Sequence, residues 1–260
     1  MKEFDRLIEV VAKLRGKTGC PWDRKQDHNS LKPYVVEEAY EMLDAIDKND
    51  MDKLRDELGD ILLQVMLHSQ IAGEKKKFSI KDVVNGITNK MIRRHPHVFA
   101  KKKVSCIDEI WSNWEEIKKD EAEYASILDS VPKAMPALLR ADKVQKKASR
   151  VGFDWNNVAG AWDKVKEELE EIFELIRKND DNKHKKRIKE EIGDLLFAVV
   201  NVSRKLEIPA EEALQEAVDK FSKRFKYIED NSKSTKKPLK DMGIKEMDRL
   251  WDKAKKLKYN

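Results

Sequence analysis

Residues 166–197 read KEELEEIFELIRKNDDNKHKKRIKEEIGDLLF, and this stretch decides the fold. It predicts two helices joined by a polar loop. Val165, Leu169, Ile172 and Ile176 recur at helical spacing and predict an apolar stripe on the first helix. Ile188, Ile192, Leu195 and Val199 do the same on the second. Glu168 and Glu191 fall on these stripes, where a carboxylate is unfavourable unless something pairs it. Each has an acidic neighbour at i+3 on its own face, Glu171 and Asp194. If the helices pack antiparallel, four carboxylates converge. No Lys or Arg falls within either pair, so the missing counter-charge is most simply a bound divalent cation.

The pattern occurs twice. In VVEEAYEML, Glu38 lies between Val35 and Met42, with Glu41 at i+3; in LRDELGDILLQV, Glu57 lies between Leu54 and Ile61, with Asp60 at i+3. Glu38 to Glu168 is 130 residues and Glu57 to Glu191 is 134, an offset longer than solenoid periods. This is the duplication of a whole domain. A lone E-x-x-E in so charged a chain is a solvated helix face. Four instances, paired, duplicated and set on apolar stripes, are not.

The 260 residues suffice for two modest domains with cores. With 40% charged residues, 9 Gly and long 3.6-period segments, the chain reads as all-α. No apolar run approaches the ~20 residues that cross a bilayer, and the N-terminus lacks the core of a signal peptide. Cys20 and Cys106 form no motif, and these features together predict a cytoplasmic protein. A net charge of +5 against 54 basic and 49 acidic groups is a solvated surface with a mild bias toward anions. It predicts neither a membrane nor a specific nucleic-acid partner.

Phe4, Leu7, Ile8, Val11 and Leu14 mark a first helix ending at Gly16. Ser30 is expected to cap the Glu38 helix, Asn49–Asp50 to break it, and Gly73 to end the Glu57 helix. Ser79 with Asp82 forms a capping-box pattern for a helix closing near Arg94. A helix over about 107–119 carries Trp111 and Trp114. Residues 129–136, DSVPKAMP, mark the domain junction, giving domains 1–128 and 129–260. Gly152 centres a turn, Pro209 opens a helix, 230–238 is expected to be a polar loop, and a last helix bears Trp251 and Lys255.

Oxygen-only ligands suit Mg²⁺, with Mn²⁺ as a substitute, and Asp at the end of the second motif argues against di-iron chemistry. Lys220 and Arg224 form a basic pair at i,i+4, and Lys90 and Arg94 hold the same places 130 residues earlier. A cation at fixed distance from a metal cage is what a polyphosphate needs. Trp251 with Lys255 is matched by Trp114 with Lys118; these Trp residues either stack on a base or pack the bundle. His95 and His97 around Pro96 read as a turn.

With GCPWD at 19–23, RRHPHVF at 93–99 and EEIGDLLFAVVN at 190–201, the chain resembles the MazG family of nucleoside triphosphate pyrophosphohydrolases along almost its whole length. The resemblance implies tandem four-helix-bundle-type domains of the all-α NTP pyrophosphatase fold, Mg²⁺ dependence, a homodimer, and cleavage of NTP or dNTP to the monophosphate and diphosphate. It implies a part in cleansing the nucleotide pool or controlling a stress response. It also implies Glu168, Glu171, Glu191 and Asp194 as metal ligands. Lys220, Arg224, Trp251 and Lys255 would contact the nucleotide, with Lys164 to Glu168 and Arg187, Ile188, Lys189 and Glu190 bordering it. Glu38, Glu41, Glu57 and Asp60, with Lys90 and Arg94, form a possible second site. The competing readings are a narrow dUTP or dCTP pyrophosphatase and a non-catalytic nucleotide-binding module.

Overall fold

The computed structural model describes residues 2–100, 104–107, 109–110, 113–114, 117, 126–177 and 182–257, with 182–183 described by backbone alone. Trp111, Lys118, the loop 178–181 and the Lys183 side chain therefore lie outside the described residues. Every regular element described is helical, as the 3.6-residue periodicity predicts. Contacts divide the chain into two units, Met1–Glu123 and Tyr124–Asn260.

The first unit contains α1 (Lys2–Arg15), α2 (Pro21–Lys25), α3 (Lys32–Asp47), α4 (Met51–Glu74), α5 (Ile80–Arg94) and α6 (Pro96–Phe99). Its core joins Val11, Leu31, Met66, Leu67 and Ile71, with Phe4, Leu7 and Ile8 packed against it. Residues Ile107, Glu109, Ile110, Asn113, Trp114 and Ile117 are helical as well. Pro21 sits in the first turn of α2, where its missing N–H costs nothing. A Cβ at Gly19 would collide with the carbonyl oxygens of Lys13 and Leu14, so the tight approach after α1 requires glycine. Arg15 clamps this loop, donating to the carbonyl oxygens of Asp23 and Gln26 while its fork binds Glu74.

The second unit contains α7 (Ala137–Ser149), α8 (Val158–Arg177), α9 (Asn182–Lys205), α10 (Ala210–Thr235), a 3₁₀ turn (Leu239–Asp241) and α11 (Ile244–Lys256). Helix α9 lies against α7, α8 and α10, and α11 packs on α10 through Ile228, Met242, Leu250 and Trp251. Gly152 takes φ 87°, as the turn requires. Asp154 then ties this turn to the end of α9: its carboxylate accepts from Arg204 at 2.6 Å and Lys205 at 2.7 Å.

The Ser79–Asp82 capping box is present, with Asp82 accepting the Ser79 N–H at 2.7 Å. Asn49 takes φ 52° and Asp50 caps α4 by accepting from the Lys53 N–H. Ser30 does not cap α3; Leu31 holds that position, and the Ser30 hydroxyl is spent on Gln26 and the Asp27 N–H. Gly73 does not end α4, which runs to Glu74 before Lys76 adopts the left-handed conformation. Most of 230–238 is helix rather than loop. There the Ser232 hydroxyl donates to the Lys237 carbonyl, and Lys236 at φ 55° provides the stop.

The stripes need a correction that matters for the site. On α8 the buried residues are Ala161, Val165, Glu168 and Leu175, whereas Leu169 is 50% and Ile176 57% exposed. On α9, Ile192 and Val199 are exposed too, and in the first unit so is Val35. These helices carry two apolar faces. One, spaced 4,3 along Ala161, Val165 and Glu168, is buried. The other is open on this chain.

Candidate metal centre

Helices α8 and α9 pack antiparallel and bring carboxylate oxygens of Glu168, Glu191 and Asp194 within 4.8 Å of one another. Helices α3 and α4 do the same for Glu38, Glu41 and Glu57. Three of the four acids expected in each copy are thus grouped, with Asp60 outside the first triad and Glu171 outside the second. Glu171 falls outside the tight triad but stands beside Glu191: burial pushes the Glu191 carboxyl up, and Glu171, Glu168 and Asp194 push it further. In the first cluster burial likewise raises Glu38, helped by Asp60, Glu41 and Glu57. Burial and Glu41 raise Glu57, against the pull of Lys53.

The two clusters differ in which acid is deepest. It is Glu57, at 6% exposed, on the second helix of the first pair, and Glu168, at 3%, on the first helix of the second pair. Each has a lysine four residues earlier. Lys164 binds Glu168 Oε1 at 2.6 Å and Glu167 Oε1 at 2.8 Å, which raises its own pKa. Lys53 stands 3.9 Å from Glu57 and 3.6 Å from Asp44. No Lys or Arg falls within either acid pair, as the sequence reads, but a lysine one turn before each deepest acid supplies part of the counter-charge. The i and i+4 positions share a helix face, so the spacing Lys164–Glu168 and Lys53–Glu57 already carries this signal. Even so, Glu168 Oε2 is buried without a hydrogen-bond partner. A buried carboxylate oxygen without a partner, on a residue of an all-oxygen donor set, fits a hard divalent cation.

Beside the second cluster, a cleft of about 440 Å³ is lined by Glu167, Glu170, Glu171, Glu174, Leu175, Arg187 and Glu191. Arg187 is thereby placed near the acids. Glu167 belongs to the segment expected to border the nucleotide, whereas Glu170 and Glu174 join this wall without having been singled out by the sequence. Ile188 is half-buried, Lys189 is exposed, and Glu190 is exposed 3.9 Å from Lys186.

The basic and aromatic residues form a second group on α10 and α11. Arg224 lies over Trp251 at 5.6 Å, Phe221 packs on the same indole at 5.1 Å, and Trp251 joins the α10–α11 core. The first copy repeats the stack, with Arg94 over Trp114 at 5.3 Å. Packing, one of the two roles read for these Trp residues, is what the contacts show. Lys220 and Lys90 are exposed, and Lys255 pairs with Asp252. His95 accepts the turn reading: its Nδ1 is 2.7 Å from the Met91 carbonyl and its ring meets Trp114 edge-on.

Comparison with known proteins follows the same lines. The profile of the MazG nucleotide pyrophosphohydrolase domain matches residues 26–99 and again 160–228. The chain is 42% identical over 254 residues to the nucleoside triphosphate pyrophosphohydrolase/pyrophosphatase MazG of Thermotoga maritima, covering 97% of this chain and 95% of that one. It is 41% identical over 260 residues to the nucleoside triphosphate pyrophosphohydrolase of Escherichia coli K12, covering 98% of each. It is 49% identical to Bacillus subtilis YabN over 255 residues, but spans only 52% of that longer protein. Among solved structures, a mazG-related protein from Thermotoga maritima aligns with 44% of this chain and 98% of its own at 29% identity, with a TM-score of 0.38. With both halves matched by one domain and near-complete alignment to named relatives, the chain belongs to the MazG nucleotide pyrophosphohydrolase family.

Proposed function

We propose that this chain hydrolyses nucleoside triphosphates between the α- and β-phosphates, giving the monophosphate and diphosphate. The observation that carries the reading is the cluster of Glu168, Glu191 and Asp194 with an orphaned Glu168 Oε2, in a chain of this family. Glu168, Glu171, Glu191 and Asp194 would hold Mg²⁺, or Mn²⁺ in its place. When bound, the ion polarises the attacked phosphoryl group and neutralises the leaving diphosphate. Arg187, on the cleft wall, binds phosphate oxygens as a fork, and Lys220 and Arg224 add positive charge from α10. The proton of the attacking water passes to Glu167, on the cleft wall, rather than to Glu190, which is exposed beside Lys186. Trp251, packed between Arg224 and Phe221, positions Arg224. Glu38, Glu41, Glu57 and Asp60, with Lys90 and Arg94, offer a second, weaker site.

The open apolar faces support a homodimer. Leu43, Ile46, Leu58, Leu62 and Val65 in the first copy are exposed, and so are Phe173, Ile176, Ile192, Leu196 and Val199 at the matching places of the second. Such a face is costly in water and suits a second copy of the chain. No described helix is long and apolar enough to cross a membrane. The two free cysteines, Cys20 and Cys106, suit a reducing cytoplasm.

The test is product analysis of purified protein with a panel of NTPs and dNTPs and Mg²⁺. Monophosphate and diphosphate in equal amounts are expected; orthophosphate with nucleoside diphosphate would refute attack at the α-phosphorus. Activity toward dUTP or dCTP alone would narrow the substrate class.

A further inference from the structure

We infer that Lys164 is the resident cation of the second acid cluster in the metal-free protein, that a divalent ion displaces it, and that the displaced ammonium then serves the substrate phosphates. The inference rests on the reading of that cluster as a cation cage. Glu168 is almost wholly buried, and a buried carboxylate requires compensation. Lys164 supplies it at Oε1, at 2.6 Å, while Oε2 has no partner. A divalent ion taken up at Oε2 would share one carboxylate with that ammonium, and like charges so close in a partly buried site repel strongly.

Lys164 has somewhere to go. It already touches Glu167 Oε1 at 2.8 Å, and Glu167 lines the cleft. Letting go of Glu168 leaves the ammonium with one carboxylate partner on the cleft wall, where an incoming polyphosphate meets it. The four-carbon stem allows the swing without backbone movement. In the first copy the lysine sits differently. Lys53 is 3.9 Å from Glu57 and is shared with Asp44, so no tight ion pair has to break there. The exchange is thus a property of the second copy.

Metal binding and substrate binding should then respond to Lys164 with opposite signs. The experiment is calorimetric titration of MgCl₂ into the nucleotide-free full-length chain carrying Glu38→Gln and Glu57→Gln, so that the second cage alone reports. In that background Lys164→Met should bind Mg²⁺ about tenfold more tightly, because the competing positive charge is gone. Lys164→Arg should stay within about twofold of the parent, since it keeps the charge. At saturating Mg²⁺ the KM for ATP should rise several-fold in Lys164→Met. Unchanged or weaker Mg²⁺ binding in Lys164→Met would overturn the exchange and make the lysine a support for the Glu168 carboxylate. Failure of the parent itself to bind Mg²⁺ would overturn the cage, and the inference with it. Should Lys164→Met not fold by circular dichroism, Lys164→Gln makes the same comparison.

Discussion

Replacing Asp154 by Asn should weaken the second unit. The Asp154 carboxylate is 18% exposed and accepts from Arg204, which is 10% exposed, and from Lys205. Burial pushes this carboxyl up, but the hydrogen bonds and charges of the two cations outweigh it and hold the group at about 2, against an ordinary 3.8. At 1.36 kcal/mol per pH unit, that gap is worth about 2.4 kcal/mol at neutral pH. Because the folded value is the lower one, the stabilisation is complete above pH ~5, falls to about half near pH 3 and is gone below pH ~1. Urea unfolding at pH 7 should therefore show Asp154→Asn less stable by about 2 kcal/mol, a midpoint shift of about 1 M for a unit this size. At pH 3 the difference should shrink to about 1 kcal/mol. Since Asp154 joins the segment leading into α8 to the end of α9, Mg²⁺ affinity should fall as well. A variant within 0.5 kcal/mol of wild type at pH 7, or a difference that does not change with pH, would refute the reasoning.

Glu168→Ala should abolish most NTP hydrolysis and Glu38→Ala much less, both assayed at saturating Mg²⁺ with circular dichroism to confirm folding; the reverse ranking places the main site in the first copy. Glu191→Gln should raise the melting temperature of the metal-free protein, because burial and its acidic neighbours disfavour its charge, yet lose the stabilisation that Mg²⁺ gives wild type; calorimetry with and without chelator checks both signs. Trp251→Ala should destabilise the α10–α11 packing by about 2–4 kcal/mol and raise the KM for ATP by releasing Arg224, as thermal melts and steady-state kinetics would show.

The architecture and the acid clusters were legible in the sequence because both rest on short-range periodicity. Helical spacing puts Glu168 and Glu191 on known faces, and the 130- and 134-residue offsets mark the duplication. What escaped depends on which face meets which neighbour. Leu169 and Ile176 look like core by spacing alone, and only the packing of α8 against α9 leaves them exposed. Lys164 was placed beside the nucleotide, but its pairing with Glu168 escaped for another reason. Its salt bridge lies one helical turn from Glu168, and a highly charged chain offers many such pairs. Helix ends were misread at Ser30 and Gly73, where side-chain competition and a left-handed Lys76 decided the outcome.

Each acid cluster is built by a helix pair that is consecutive in the chain, α3 with α4 and α8 with α9. Contacts between sequence neighbours close small loops and form early, so these hairpins are the natural nuclei for each unit. The carboxylate repulsion is then felt during the climb to the transition state as well as in the finished structure. A cation bound at that spot should therefore speed folding, seen in a chevron plot as a raised folding limb rather than a lowered unfolding limb.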